Sequence, residues 1–387
     1  MWFFNSPEIV FGEGALSYLA QVHGQRAFIV TDPFMVQFGF VELVKEQLDA
    51  ANIESRLFDQ VEVEPSLETV RRGAALMLEY EPDWIVGLGG GSAMDAAKAM
   101  WALYECPDLP VEAISPVGYL GIGKKAKLIL ISTTSGTGSE VTWATVLTDT
   151  RENRKLGLGS RELTATIAIV DPIFTTKMPP RLTADTGLDV LTHAIEGYNA
   201  TWHNDFADGM CLKAIELVFK YLPRVYADGS DLEAREKMHN AAALAGLGFI
   251  NSMATLAHAM GHTYGANFKV PHGRCVSAFL PYTMEFSTKG GNHRYDEMAR
   301  FLGLPARTPE EGAASLIQAV RDIEKQVGSA TALSEMKATR ESLSAAMGTL
   351  LDHAQNDTQI VAAPRIPERA ELEKLFWYAY EGKKVDF

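Results

Sequence analysis

Asp189-Val-Leu-Thr-His193, then Leu256-Ala-His258-Ala-Met-Gly-His262, then Val270-Pro-His272-Gly273: these three short runs organise the reading of the whole chain. Asp189 and His193 are four residues apart, so on a helix they stand one turn above each other on the same face. His258 and His262 repeat that spacing on a second expected helix, and His272 follows ten residues later at an expected Pro-His-Gly turn. Four of the nine histidines, His193, His258, His262 and His272, therefore fall within 80 residues, in apolar or glycine-rich surroundings. A lone histidine is usually a satisfied core residue. A cluster of this kind, with a carboxylate and imidazoles but no cysteine, suits Fe(II), Zn(II) or a similar divalent ion.

Upstream of these runs the chain has a different character. Short apolar runs alternate with amphipathic stretches through the first 180 residues, the pattern of βα units on a parallel sheet. Strands are expected at 26–31, 54–59, 84–88 and 127–131, and helices at 36–51 and 66–80. The strand at 84–88 runs into Gly89-Gly90-Gly91-Ser92-Ala-Met-Asp95-Ala-Ala-Lys98. Ser92 and Asp95 have capping-box spacing, which puts a helix start there. Glycines ahead of a helix N-terminus let backbone N–H groups approach a phosphate, although a tight strand-to-helix turn needs glycine for steric reasons too. The common dinucleotide fingerprint follows the first strand of its fold, whereas this glycine run follows the third expected strand, so the domain is Rossmann-like rather than an ordinary Rossmann fold. Ser132-Thr133-Thr134-Ser135-Gly136-Thr137-Gly138-Ser139-Glu140 follows the next strand, dense in groups that could hydrogen-bond a polar ligand or simply form a polar loop. Asp32 closes the first buried strand at the sheet edge where ligands gather, or caps a turn with Pro33.

Beyond Asp171-Pro172 and Pro179-Pro180 only helical periodicity is visible, most clearly at 207–226, 232–247, 252–265, 308–327 and 367–381. This divides the chain into an α/β dinucleotide-binding domain, 1–179, and an all-helical metal-binding domain, 180–387, with chemistry expected in the cleft between them. A length of 387 residues, 47% hydrophobic and 22% charged, is ordinary for such a globular protein. A formal net charge of −14 with no basic cluster argues against nucleic-acid and anionic-membrane partners. Three widely spaced cysteines form no disulfide framework, and neither a signal segment nor a membrane span is evident, so a cytoplasmic location is expected. Apolar residues at the start of the chain, Trp2, Phe3 and Phe4, suggest the edge of a homo-oligomer, a dimer or higher.

In combination these motifs resemble the iron-containing (group III) alcohol dehydrogenases. The resemblance runs through almost the whole chain: Phe11-Gly12, Val30-Thr31-Asp32, the glycine run with Asp95 and Lys98, Gly136 to Thr142, Thr186 to Glu196, His258, His262 and Pro271-His272-Gly273. It implies that Asp189, His193, His258 and His272 bind the metal, Fe(II) or another divalent ion such as Zn(II), and that His262 is a nearby non-ligand histidine acting in proton transfer or in shaping the pocket. It also implies that Gly89, Gly90, Gly91, Ser92 and Asp95 surround the pyrophosphate and ribose of NAD, with Thr133 and Thr134 along the cofactor, Asp32 near the adenosine ribose and Lys155 near cofactor and substrate. Asp at position 32 goes with NAD, smaller residues with NADP. Ser132 and Thr164 stand where the family favours proline, and Trp143-Ala144 lies where it varies, which leaves the substrate open.

The implied reaction is metal-assisted, reversible hydride transfer between a primary alcohol or small diol and NAD. Two other readings compete with it. A lyase resembling dehydroquinate synthase would want a strongly basic pocket, yet only Lys269 and Arg274 lie near the metal motifs. A non-catalytic scaffold with a closed four-ligand metal would look the same in sequence.

Overall fold

The computed structural model of the chain describes residues 3–151, 154–291 and 293–387. It divides into two compact units, Met1–Met178 and Pro179–Phe387. In the first, the strands are β1 (Glu8–Phe11), β2 (Arg26–Val30), β3 (Glu54–Phe58), β4 (Trp84–Gly89), β5 (Lys127–Ser132), β6 (Ala144–Asp149), β7 (Arg154–Gly159) and β8 (Ile167–Val170). Six of them make an all-parallel sheet in the order β1-β8-β5-β4-β2-β3, while β6 and β7 form a separate antiparallel hairpin. Its helices are α1 (Pro33–Gln37), α2 (Phe40–Ala50), α3 (Leu67–Tyr80) and α4 (Gly91–Glu105).

Strand alternation explains the layering. Phe28 and Val30 of β2, Ile85 of β4 and Leu128 and Leu130 of β5 turn to the side packed by α3 and α4. The intervening Ala27, Ile29, Trp84, Val86, Ile129 and Ile131 turn to the other side, against α2. On the α4 side a Cβ at Gly87 would stand 2.6 Å from Leu130 and 2.9 Å from Ala97, so glycine there lets α4 lie directly on β4. The connection from β2 goes outward to β3, and the chain then returns to the opposite side of β2 for β4. The topology thus reverses between β2 and β4, the place where open α/β sheets bind ligands.

The second unit contains α5 (Pro180–Asn199), α6 (Asp205–Ala227), α7 (Leu232–Ile250), α8 (Leu256–Phe268), α9 (His272–Gly290), α10 (Tyr295–Phe301), α11 (Pro309–Gln326), α12 (Arg340–Gln355) and α13 (Arg369–Glu381), with no strand among the described residues. Helix α5 is buried at nearly every position from Thr183 to Asn199 and packs against α6, α7 and α9. No helix of the described residues is long and apolar enough to cross a membrane.

Several local expectations need correction. The edge strand β1 precedes the others, so the glycine run follows the fourth strand in chain order; four half-exposed residues carry no alternation signal. The helix after the glycine run begins at Gly91 with Gly90 as its N-cap, and no capping box forms around Ser92. His272 opens α9 rather than sitting in a turn. Trp2 lies outside the described residues, and Phe3 and Phe4 precede β1, with the Arg161 guanidinium 4.8 Å above the Phe3 ring.

Candidate metal centre and dinucleotide cradle

Helix α5 presents a stripe of buried polar side chains at Asp185, Asp189, His193, Glu196 and Asn199, one face of the helix repeated turn by turn. Asp185 accepts two hydrogen bonds from the Arg274 guanidinium, at 3.0 and 2.6 Å, which ties α5 to the start of α9. The Asn199 amide donates to the Tyr295 hydroxyl and its carbonyl accepts from the Arg294 backbone, both at 2.9 Å. Between these anchors Asp189 and His193 meet His258 of α8 and His272 of α9.

The four ligand atoms of Asp189, His193, His258 and His272 lie within 4.8 Å of one another. His193 Nδ1, His258 Nε2 and His272 Nε2 stand 3.7, 3.9 and 3.5 Å from Asp189 Oδ1. These separations are too long for hydrogen bonds. Two ligands each ~2.1 Å from one ion at a tetrahedral angle would be roughly 3.4 Å apart, close to what is seen. Asp189 Oδ1, His193 Nδ1 and His258 Nε2 are buried without a hydrogen-bond partner, an arrangement whose cost of about 1–3 kcal/mol per group a shared cation relieves. Burial pushes the Asp189 carboxyl up to about 7, opposed by His258. Burial, reinforced by His258, His272 and His262, holds the His193 imidazole well below its usual range and therefore neutral, the form that ligates. The residues fit a divalent cation.

His262 is outside this set. Its Nδ1 is 2.7 Å from Asp357 Oδ2, and its ring stacks on that of His272 with centroids 5.2 Å apart. Phe249 stacks on His193 at 4.2 Å. On His258 the nitrogen away from the cluster, Nδ1, is 2.5 Å from Glu196 Oε2.

In the first unit the C-terminal ends of the adjacent strands β2, β4 and β5 bring Asp32, Gly89–Gly91 and Thr133–Thr134 to one edge of the sheet. Asp32 caps α1, its Oδ1 accepting from the Phe34 N–H at 2.9 Å, so the turn-capping reading of this residue holds. Its Oδ2 is also 3.3 Å from where a Cβ on Gly89 would lie, which puts the carboxylate beside the glycine turn. Gly89 has φ +148, and a Cβ there would stand 2.7 Å from Ala93; one on Gly91 would be 3.0 Å from Thr137. Only glycine lets β4 turn into α4 this tightly while the loop after β5 crosses it. The N-terminus of α4 has no side-chain cap, leaving its dipole directed into this edge.

Two expected contact residues have other partners. Asp95 accepts from the Ser139 hydroxyl at 2.6 Å and from the Val146 N–H at 2.8 Å, so both oxygens are engaged in fastening the loop after β5 and the β6–β7 hairpin to α4. Lys98 is fully buried and donates to Ser139, Thr142 and the Ala144 carbonyl, completing that network. Lys155 lies exposed on β7 and pairs with Glu64 at 2.5 Å; the Glu64 N–H donates in turn to the Ser92 hydroxyl at 3.3 Å. Lys155 is thus linked to the glycine turn.

The sequence assigned no supporting role to Glu196, Asp357, Phe249 or the Asp185–Arg274 pair. Glu196 carried a usable signal, since it continues the spacing of Asp189 and His193 by three residues. Asp357 comes from a loop ninety-five positions after His262 and carried none.

Comparison with known proteins accounts for both halves. Residues 6–172 match the family model for iron-containing alcohol dehydrogenase, and residues 183–380 that for the C-terminal part of the Fe-containing alcohol dehydrogenase family. The chain belongs to the iron-containing alcohol dehydrogenases. Like them, it is a metal-dependent alcohol dehydrogenase. It is 40% identical to an NADPH-dependent butanol dehydrogenase of Clostridium saccharobutylicum, covering 98% of each chain. It is 38% identical to aldehyde-alcohol dehydrogenase 2 of Entamoeba histolytica, where it aligns with 46% of that longer protein. Among solved structures it superposes on the iron-containing alcohol dehydrogenase of Thermococcus thioreducens with TM-score 0.91 at 32% identity, over 99% of this chain and all of that one. With the sulfoacetaldehyde reductase of Bifidobacterium kashiwanohense, solved with NAD+, the TM-score is 0.86 at 28% identity over 98% of both chains.

Proposed function

We propose that this dehydrogenase interconverts a primary alcohol or small diol with its aldehyde, using NAD held on the first unit and a divalent ion, Fe(II) by family, held by Asp189, His193, His258 and His272 on the second. The observation that carries the reading is the convergence of ligand atoms from Asp189, His193, His258 and His272, the first three of them buried with no hydrogen-bond partner. An ion held there would supply Lewis acidity for the hydroxyl oxygen of an alcohol or the carbonyl oxygen of an aldehyde. The reaction moves one hydride between the alcohol carbon and the nicotinamide and releases the hydroxyl proton. His262 takes that proton: Asp357 fixes its Nδ1, so Nε2 is the nitrogen left to exchange with substrate or solvent. Gly89, Gly90, Gly91 and Ser92 receive the pyrophosphate at the start of α4, Thr133 and Thr134 line the cofactor, and Lys155 stands at the rim of the cradle through Glu64.

NAD rather than NADP follows from Asp32. Its carboxylate beside Gly89 can accept hydrogen bonds from ribose hydroxyls and repels a 2′-phosphate. The Clostridium relative is named for NADPH and the Bifidobacterium structure holds NAD+, so the choice rests on this residue and not on kinship. The lyase alternative loses its basic pocket, because Arg274 is committed to Asp185. The deciding experiment is an initial-rate panel of primary alcohols and diols with Fe(II) or Zn(II), run with NAD and with NADP and followed by nicotinamide absorbance. Turnover with NAD supports the proposal; absence of turnover with either nucleotide across the panel defeats it.

A further inference from the structure

Glu196 is a fully enclosed carboxylate with four donors around it and no charged side chain of Lys or Arg among them. Its Oε1 accepts from the Thr255 hydroxyl at 2.7 Å and the Ala257 N–H at 2.6 Å; its Oε2 accepts from the Thr255 N–H at 3.1 Å and faces His258 Nδ1 at 2.5 Å. Three of the four contacts are hydrogen bonds from the N-terminal end of α8, two from its N-cap Thr255 and one from Ala257 in its first turn, and Thr255 makes no side-chain bond to the helix itself. The fourth contact falls on a ring whose other nitrogen, Nε2, is buried, unpartnered and 3.9 Å from Asp189 Oδ1.

We propose that Glu196 is a positioning residue of the metal site: it holds His258 with the proton on Nδ1, so that the Nε2 lone pair is directed at the position shared with Asp189. The inference rests on the assignment of Asp189, His193, His258 and His272 as ligands. A neutral imidazole has one protonated and one bare nitrogen, and only the bare one ligates. A carboxylate accepts and never donates, so at Nδ1 it selects the ligating tautomer and fixes the ring plane together.

A structural anchor for α8 would make the same three hydrogen bonds, so the test must read the metal. The full chain is stripped with a chelator and reloaded with Zn(II) or Co(II); affinity is measured against a chromophoric chelator, and the Co(II) visible bands report the ligand geometry. Glu196→Gln keeps the size of the side chain but puts an NH2 against donors on one side or the other. It is expected to weaken binding 10- to 100-fold and to shift the Co(II) bands. In a His258→Ala background the same substitution is expected to add nothing, because its effect runs through His258. Wild-type affinity in Glu196→Gln, or losses that add independently in the double variant, overturns the proposal. If Glu196→Gln does not fold, the decision passes to the wild-type chain: with histidine 15N-labelled and Zn(II) bound, the His258 ring is expected to carry its proton on Nδ1. A proton on Nε2 overturns the proposal equally. A chain that binds neither metal, or whose affinity is untouched by His258→Ala, instead removes the ligand assignment beneath it.

Discussion

Gly273→Ala is the sharpest steric test of the metal site, because one methyl group placed there is driven into the backbone that carries the ligands. A Cβ at position 273 would lie 2.2 Å from the Asp185 carbonyl oxygen and 3.0 Å from the Asp189 Cβ. Ordinary contact begins near 3.4 Å, and Asp185 sits inside a buried helix rather than at the end of a flexible side chain. The start of α9 must therefore back away from α5 by roughly 1 Å, several times the ~0.2 Å tolerance of a metal–ligand distance. His272, immediately before Gly273, moves with it, away from Asp189. Overpacking of this kind costs about 1–3 kcal/mol. If that strain is charged to metal binding, affinity falls by about 5- to 150-fold. Chelator competition measures it, with far-UV circular dichroism to establish that the helices remain. Gly348→Ala is the control: nothing lies within 4 Å of its Cβ on α12, and it should leave metal affinity unchanged. A folded Gly273→Ala protein that binds Zn(II) within twofold of wild type would refute the packing argument and the placement of His272 in the ligand set.

Other outcomes follow from the same geometry. His272→Ala, at the most exposed of the four ligands, should lower metal content per chain sharply while nucleotide binding to the first unit persists; elemental analysis and NADH fluorescence read the two separately. Asp32→Gly should narrow the preference for NAD over NADP in kcat/KM by removing repulsion, and an unmoved ratio would return Asp32 to its capping role alone. His262→Ala should depress kcat with metal still bound, whereas loss of metal would mean that it is itself a ligand. Glu140 provides a pH test on the first unit. Burial pushes its carboxyl up to about 7, with Lys98 pulling the other way. A raised folded-state value means that its contribution is fully present below the ordinary value of 4.5 and is lost as pH rises through about 7. The loss is on the order of 3 kcal/mol. Glu140→Gln should therefore flatten the stability profile across that window and melt higher than wild type at pH 8; identical profiles would show that Glu140 does not set it.

The sequence revealed the βα alternation and the helical second half because both rest on long periodic signals. What it hid was short or interrupted. The strand β1 has four residues, and α9 contains Gly273 near its start and Pro281 within it, both marks of a loop, yet burial of Val276, Phe279 and Leu280 holds it helical. The four residues that cluster around Asp189 Oδ1 were legible as a set because Asp189 and His193 share a helical face and His258 has a spacing partner. Two neighbouring pairs were not, since Asp357 reaches His262 across ninety-five positions and Arg274 reaches Asp185 across eighty-nine. Asp95 has partners that the sequence did not disclose. Its place beside the glycine run suggested a ligand contact, and in the structure its carboxylate accepts from the Ser139 hydroxyl and the Val146 N–H, partners 44 and 51 positions away.

The polar stripe of α5 limits how this chain can vary in length. Each residue of an α-helix turns the chain by about 100°. A single insertion or deletion between Asp185 and Asn199 would swing every side chain beyond it off the stripe, separating the Arg274 partner from the metal ligands or the ligands from Glu196. No compensating change elsewhere restores four phases at once. Gains and losses of residues can be absorbed where α5 ends, at Pro179-Pro180 or after Asn199, and the fifteen positions from Asp185 to Asn199 must be inherited as one uninterrupted frame.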